Sequence, residues 1–213
     1  MHMNWKNILK DILLILFWVS VWVLGLGLAL MLLLCFILNS QGEITETTDL
    51  ADYGVIRGNY DNEYPAEFLS SFFPEEISGD FSNVHYRYKA QKADTYACEI
   101  WLEFDIADEE KFAEFIAASV DPDQVTTFSY DPTYSDYTIS DGFMLTCPEN
   151  NDPSDIHIED ARIGKILYDE EAQHIICFAL LVCDGGYSST REFGSFFTRF
   201  QIDPIEYAAA HDA

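Results

Sequence analysis

Tyr96-Ala97-Cys98-Glu99-Ile100-Trp101-Leu102-Glu103-Phe104 alternates large apolar and polar side chains with a period of two. Tyr96, Cys98, Ile100, Leu102 and Phe104 share one face, while Glu99, Glu103 and the following Asp105 share the other. This is the pattern of an antiparallel strand with one face on a core and one toward water. Trp101 interrupts the polar face, so a further element is expected to cover it.

The same periodicity extends outward on both sides. Val84-His85-Tyr86-Arg87-Tyr88-Lys89 alternates and predicts a strand. Before it, residues 64–73 predict a short helix with Pro65 in the first turn, Phe68, Leu69, Phe72 and Phe73 on one side, and Pro74 as the stop. After it, Asp108 is placed to cap a helix whose stripe is Phe112, Phe115, Ile116 and Val120, ended by Asp121-Pro122. Residues 125–130 and 137–147 predict strands, and 148–160 an acidic loop. Residues 163–168 and 174–183 predict a pair of strands joined by 169–173. The second of these is apolar on both faces, as a central strand would be. Asp184-Gly185-Gly186 predicts a turn. Phe193, Phe196, Phe197 and Phe200 recur at helical spacing in spite of Gly194.

The order helix, two strands, helix, four strands, helix, with mostly short connections, predicts an α+β fold. Its expected form is an antiparallel sheet domain with helices packed on one face.

Preceding this domain, residues 12–38 contain no charged side chain, and nineteen of them are Leu, Ile, Val or Phe. On an insertion scale those nineteen favour the bilayer by roughly 6–11 kcal/mol. As a helix the run is about 40 Å long against a hydrocarbon core of roughly 30 Å, enough for one crossing and not for two. Lys6 and Lys10 flank its start, and no base follows until Arg57. The positive-inside rule then expects residues 1–11 in the cytoplasm and the rest outside. A cleaved signal peptide would have a shorter apolar run and small residues at its end. Bulky Leu34 before Cys35 argues against lipidation at that cysteine. Gly25 and Ala29 are spaced to form a helix-pairing face, although such residues are common in membrane helices. The expected organisation is a cytoplasmic stretch 1–11, a transmembrane helix 12–38, an acidic tether 39–62, the extracytoplasmic domain 63–203 and a tail 204–213.

The chain carries a formal charge of −26. Lys6, Lys10 and Asp11 are the only charges before Asn39, so the remainder carries −27. Such a surface repels nucleic acid and favours cationic partners or divalent ions. Phe and Tyr are too abundant for a disordered acidic chain. Four cysteines lie beyond the membrane run, Cys98, Cys147, Cys177 and Cys183. Two readings stay open for them, buried free thiols in apolar strands or one or two disulfides.

Chemical motifs are sparse. No CxxC, G-x-S-x-G elbow, phosphate loop or dinucleotide glycine pattern is present. Gly185-Gly186-Tyr187-Ser188-Ser189 reads as a turn. Asn150, Asp152, Asp155, Glu159 and Asp160 gather oxygen ligands in one loop, but not at EF-hand spacing, so calcium is a minor expectation beside a solvated loop. His2, His85, His157, His174 and His211 are scattered. No catalytic, cofactor-binding or metal residue is nominated. The expected occupation is a binding or sensing module of the cell envelope, held by the bilayer through 12–38, with an envelope protein or cationic partner and no nucleic acid. The alternative is an anchored hydrolase built from scattered carboxylates. This layout, with Phe73-Pro74-Glu75-Glu76-Ile77 following an aromatic helix, resembles that of single-pass anchored extracytoplasmic proteins of bacteria. The resemblance implies no activity.

Overall fold

The computed structural model describes residues 5–39, 43–54, 71–92, 96–127, 133–137, 144–145, 157–158, 161–183, 188–189 and 193–211. The chain divides into two compact units, Met1–Gly42 and Glu43–Ala213.

The first unit is a single helix, α1 (Trp5–Asn39), 35 residues long. Its Leu14–Cys35 stretch is long and apolar enough to cross a membrane. Membrane anchors and signal sequences share that character. The Ser20 hydroxyl donates to the Leu16 carbonyl at 2.9 Å, so this polar side chain is satisfied within the helix.

The second unit is built on an antiparallel sheet. Its strands in chain order are β1 (Glu43–Thr47), β2 (Ser82–Lys92), β3 (Tyr96–Asp105), β4 (Thr126–Thr127), β5 (Ser135–Tyr137), β6 (Met144–Leu145), β7 (His157–Ile158), β8 (Ala161–Asp169), β9 (His174–Cys183) and β10 (Ser188–Ser189). Across the sheet seven of them run β1-β2-β3-β9-β8-β5-β4, with β6 also on β8, while β7 and β10 form a separate pair. The alternation in β3 places Ile100, Leu102 and Phe104 on one face and Trp101 on the other, as its sequence predicts. β9 lies between β3 and β8 with both faces buried, the central position expected from its unbroken apolar run.

Helix α2 (Glu109–Ser119) begins at Asp108, whose side chain accepts from the backbone N–H groups of Glu110 and Lys111. Phe112 carries it onto the face formed by Leu102, Phe104, Ile166, Tyr168, Ile175 and Cys177. The opposite face, with Trp101, Ile163, Leu167, Phe178 and Leu180, is covered by α3 (Ser195–Phe200) and the residues around it. The Phe196 ring stacks on Phe178 at 4.8 Å. Helices therefore lie on both faces of the sheet, which corrects the expectation of one covered face. The reason is the central strand: large apolar side chains project from β9 in both directions, and each set needs a cover.

Two boundaries also differ from expectation. Residues 39–62 do not all form a tether, because Glu43–Thr47 pairs with Thr47↔Tyr88 through Glu43↔Lys92 as β1. Tyr53 is buried against Tyr86 and donates its hydroxyl to the Pro74 carbonyl at 2.6 Å. Within the expected tail 204–213, Pro204–His211 forms a helix, α4. Asp203 starts it, its carboxylate accepting from Ile205 N at 2.8 Å and Glu206 N at 3.3 Å. Pro204 fits because the first turn of a helix needs no intrahelical N–H. The helix expected over 64–73 lies mostly outside the described residues.

Candidate functional site

A groove of about 1020 Å³ lies between α2 and the hairpin turn joining β8 to β9. Its floor is apolar: Phe112 and Ile116 from α2, Val120 just after it, Tyr168 from β8, and Val125. Its rim is anionic, formed by the exposed carboxylates of Glu109, Glu170 and Glu171. Among the described lining residues there is no Ser, Cys, His, Lys or Arg.

Local sequence explains how the walls are held. In the turn, the Asp169 carboxylate accepts from Glu171 N at 2.9 Å and Ala172 N at 3.0 Å, folding the loop onto itself. Gln173 then adopts a left-handed backbone, φ 53°, which returns the chain into β9. The Gln173 carbonyl accepts from Ile106 N at 3.1 Å. Its side-chain amide, oriented to satisfy both ends, donates to the Ala107 carbonyl and accepts from Glu109 N, each at 3.2 Å. One of the unpaired N–H groups at the start of α2 is thus capped from the turn. Gln173 fixes the spacing of the two groove walls.

The groove floor is neutral. Burial, then the nearby Glu170 charge, pushes the Tyr168 phenol above its ordinary range, so it is uncharged at neutral pH. The ring meets Phe112 edge-on at 6.5 Å. A second hollow of about 610 Å³ lies between the far end of α2 and Phe72–Pro74 and shares Ala117, Val120 and Pro122 with the groove. Phe72 there lies over Gly164 of β8, in space that a side chain at 164 would need.

Buried polar groups on the opposite face belong to architecture. Glu99 is 1% exposed. Its carboxylate accepts from Ser195 N at 3.0 Å, from the Ser195 hydroxyl, and from Trp101 Nε1 at 3.2 Å. Trp101 Nε1 also donates to Ser195 Oγ at 2.7 Å. The residue before α3 is Gly194, which has no side chain to cap the helix, and Glu99 supplies the cap from the sheet. Arg87 stands 3.6 Å from Glu99 and donates to Glu46 at 2.9 Å. Lys165 and Asp136, both buried, pair at 2.5 Å, with Thr126 donating to the same carboxylate and the Tyr207 ring 5.6 Å from the ammonium. Burial holds the Lys165 ammonium below the ordinary lysine range, partly offset by the Asp136 charge and hydrogen bond.

The residues singled out in the sequence are distributed as follows. Cys98 and Cys177 are buried free thiols, and burial pushes the Cys177 thiol far up, leaving it unreactive. Cys147 lies outside the described residues, as does the Cys183 side chain. The calcium candidates Asn150, Asp152, Asp155, Glu159 and Asp160 also lie outside them. Among the described residues no three His, Cys, Asp or Glu side chains are grouped to hold a metal. His174 places Nδ1 2.7 Å from Asp105 and Nε2 4.0 Å from Glu103. Glu103 in turn accepts both terminal nitrogens of Arg199, whose guanidinium lies 5.0 Å from the Trp101 ring. Sequence reading gave Glu99 to the solvated face and did not join α2 to the 170–173 turn. No short motif encodes either relation.

No protein family, curated protein or solved structure matches the chain.

Proposed function

We propose that this protein is a non-catalytic binding module of the cell envelope, displayed outside the membrane on an uncleaved anchor with a cytoplasmic N-terminus. The anchoring rests on the length and uniform apolarity of Leu14–Cys35 and on the bases Lys6 and Lys10 before it. The observation that carries the binding reading is the groove itself. It offers a large apolar floor with oriented walls, the usual character of a recognition surface.

A hydrolytic site would need a nucleophile beside a base, or carboxylates desolvated enough to exchange protons near neutrality. The groove's three carboxylates are exposed, and the described lining supplies no nucleophile. The buried carboxylate Glu99 is committed to capping α3.

The test is a display selection with random 16-residue peptides on the full chain in nanodiscs of zwitterionic lipid. Empty discs and discs carrying Ala117→Trp serve for depletion. Ala117 is an exposed groove residue, so a Trp there fills the hollow without entering the core. Peptides that bind the parent and lose binding to the variant are expected. A selection yielding only peptides indifferent to Ala117→Trp overturns the groove as the binding site.

A further inference from the structure

We propose that the occupant of the α2 groove is a cationic amphipathic helix from a partner protein, an inference that rests on the groove being the binding site.

Three observations specify this class. The first is charge. Glu109, Glu170 and Glu171 stand at the rim, with no basic residue among the described lining, in a chain of formal charge −26. A segment with Lys or Arg along its flanks meets complementary potential there, whereas an anionic one is repelled. The second is the apolar floor. Phe112, Ile116, Tyr168 and Val125 form a surface that only an apolar stripe can cover without stranding polar groups. The third is the backbone. The strand that lines the groove, β8, is paired on both flanks, with Tyr168 opposite Ser135 and Ile175, so it offers the occupant no row of free N–H and C=O groups. An extended peptide would leave its backbone unpaired on an apolar floor, while a helix brings its hydrogen bonds with it.

The dimensions agree. α2 has 11 residues and is about 16 Å long, so a partner of three to four turns lies along it with anchors at i, i+3, i+4 and i+7. Docking would shield the half-buried Ile116 and Val125, while the acidic rim stays at the border of the contact, where charges set orientation and encounter rate.

The experiment uses the full chain in zwitterionic nanodiscs and three synthetic 15-residue peptides of labelled Leu, Lys, Glu and Ala. One has Leu at helical spacing with Lys flanks. A second has the same composition with Leu at alternate positions. The third keeps the helical spacing with Glu flanks. Binding is read by fluorescence anisotropy against discs carrying Ala117→Trp, which have the same lipid. The Lys-flanked helix is expected to bind the parent and lose that signal on Ala117→Trp. Its affinity is expected to fall about tenfold in a Glu109→Gln, Glu170→Gln, Glu171→Gln variant and to lose most of its salt dependence. Circular dichroism of each variant confirms the fold. Equal binding by the Glu-flanked helix overturns the charge assignment, and equal binding by the alternating peptide overturns the helical one. If none of the three binds while the display selection yields groove-dependent peptides, the helix proposal falls and the groove reading stands. If both fail, the groove reading falls as well.

Discussion

The ring of Phe72 occupies the space above Gly164, with ring atoms 2.2 Å from where a Cβ at that position would stand. Phe72 is 1% exposed and packs within the cluster that includes Ile166, Leu102 and Phe104. The ring must therefore shift if a methyl is to fit at 164. Gly164→Ala is expected to destabilise the domain by about 1–3 kcal/mol, the usual cost of overpacking a filled core. Thermal melts monitored by circular dichroism check this. Adding Phe72→Leu should recover part of the loss, since it frees the space the methyl enters. An undiminished melting temperature for Gly164→Ala alone would remove the close packing as a constraint.

The Ser195 hydroxyl adds two contacts to the buried hydrogen bond between Trp101 and Glu99. Ser195→Ala removes a donor to Glu99 and the 2.7 Å acceptor of Trp101 Nε1. The expected loss is about 1 kcal/mol, the net value of a hydrogen bond, because Glu99 keeps Ser195 N and Trp101 Nε1 as donors and the indole keeps Glu99 as acceptor. Trp101 is the one tryptophan beyond the apolar run, so its emission should shift as α3 loosens. Ser195→Thr, which keeps the hydroxyl, should retain more of the stability than Ser195→Ala. Equal melting of the two variants would point to volume and not hydrogen bonding.

The Lys165–Asp136 pair makes a contrasting case. Lys165→Met leaves a buried carboxylate with Thr126 as its remaining described donor, and a loss of about 3–5 kcal/mol is expected. Lys165→Met combined with Asp136→Asn removes both charges while keeping a group for Thr126, and should regain most of that loss. Chemical denaturation of the parent, the single and the double variant completes the cycle. A double variant as unstable as the single one would show that the pair is irreplaceable in its surroundings.

Asp105 gives the domain an acid-sensitive contact. Burial raises its carboxyl pKa, but hydrogen bonds from Asn83 at 2.6 Å and His174 at 2.7 Å, with the His174 and His85 charges, outweigh this and hold it below the usual range. A folded-state pKa below the unfolded one means that the unfolded chain binds the proton more readily. The stabilisation is complete above the ordinary carboxyl range near 3.9 and disappears as pH falls through the lower folded value. Because Asp105 is partly solvent-accessible, the contribution is at most about 1 kcal/mol. Asp105→Asn is expected to lower the melting temperature by about 2–4 °C at pH 6 and to match the parent near pH 2. A gap that stays constant over that range would assign the effect to packing.

The features legible in the sequence are those written in local periodicity. β3, β8, β9, α2 and the aromatic stripe of α3 each bury a face whose spacing is visible in a dozen residues. β1 was hidden because Glu43-Ile44-Thr45-Glu46-Thr47 is an edge strand with a single large apolar residue, and its partner lies more than forty positions away. α4 was obscured by Pro204, which reads as a breaker until Asp203 is seen to cap the helix it begins. Which face a helix covers is not a local property, so α2 and α3 could not be assigned to opposite sides. The groove is equally non-local: Gln173 and Glu109 are 64 positions apart, and nothing about an acidic turn announces the helix it will touch.

The strand order also sets when this domain can come into being. β3 and β9 pair from Asp105↔His174 through Tyr96↔Cys183, contacts separated by 69 to 87 positions. β2 and β3 can meet as a hairpin early, but Trp101 and Leu102 gain their neighbouring strand only when residues near 180 have been made. Folding dominated by such distant pairings is slow, in the range of milliseconds to seconds. The nascent chain must therefore emerge past the residues of β9 with one edge of β3 unpaired, and its many carboxylates are the means at hand to keep neighbouring chains apart during that interval.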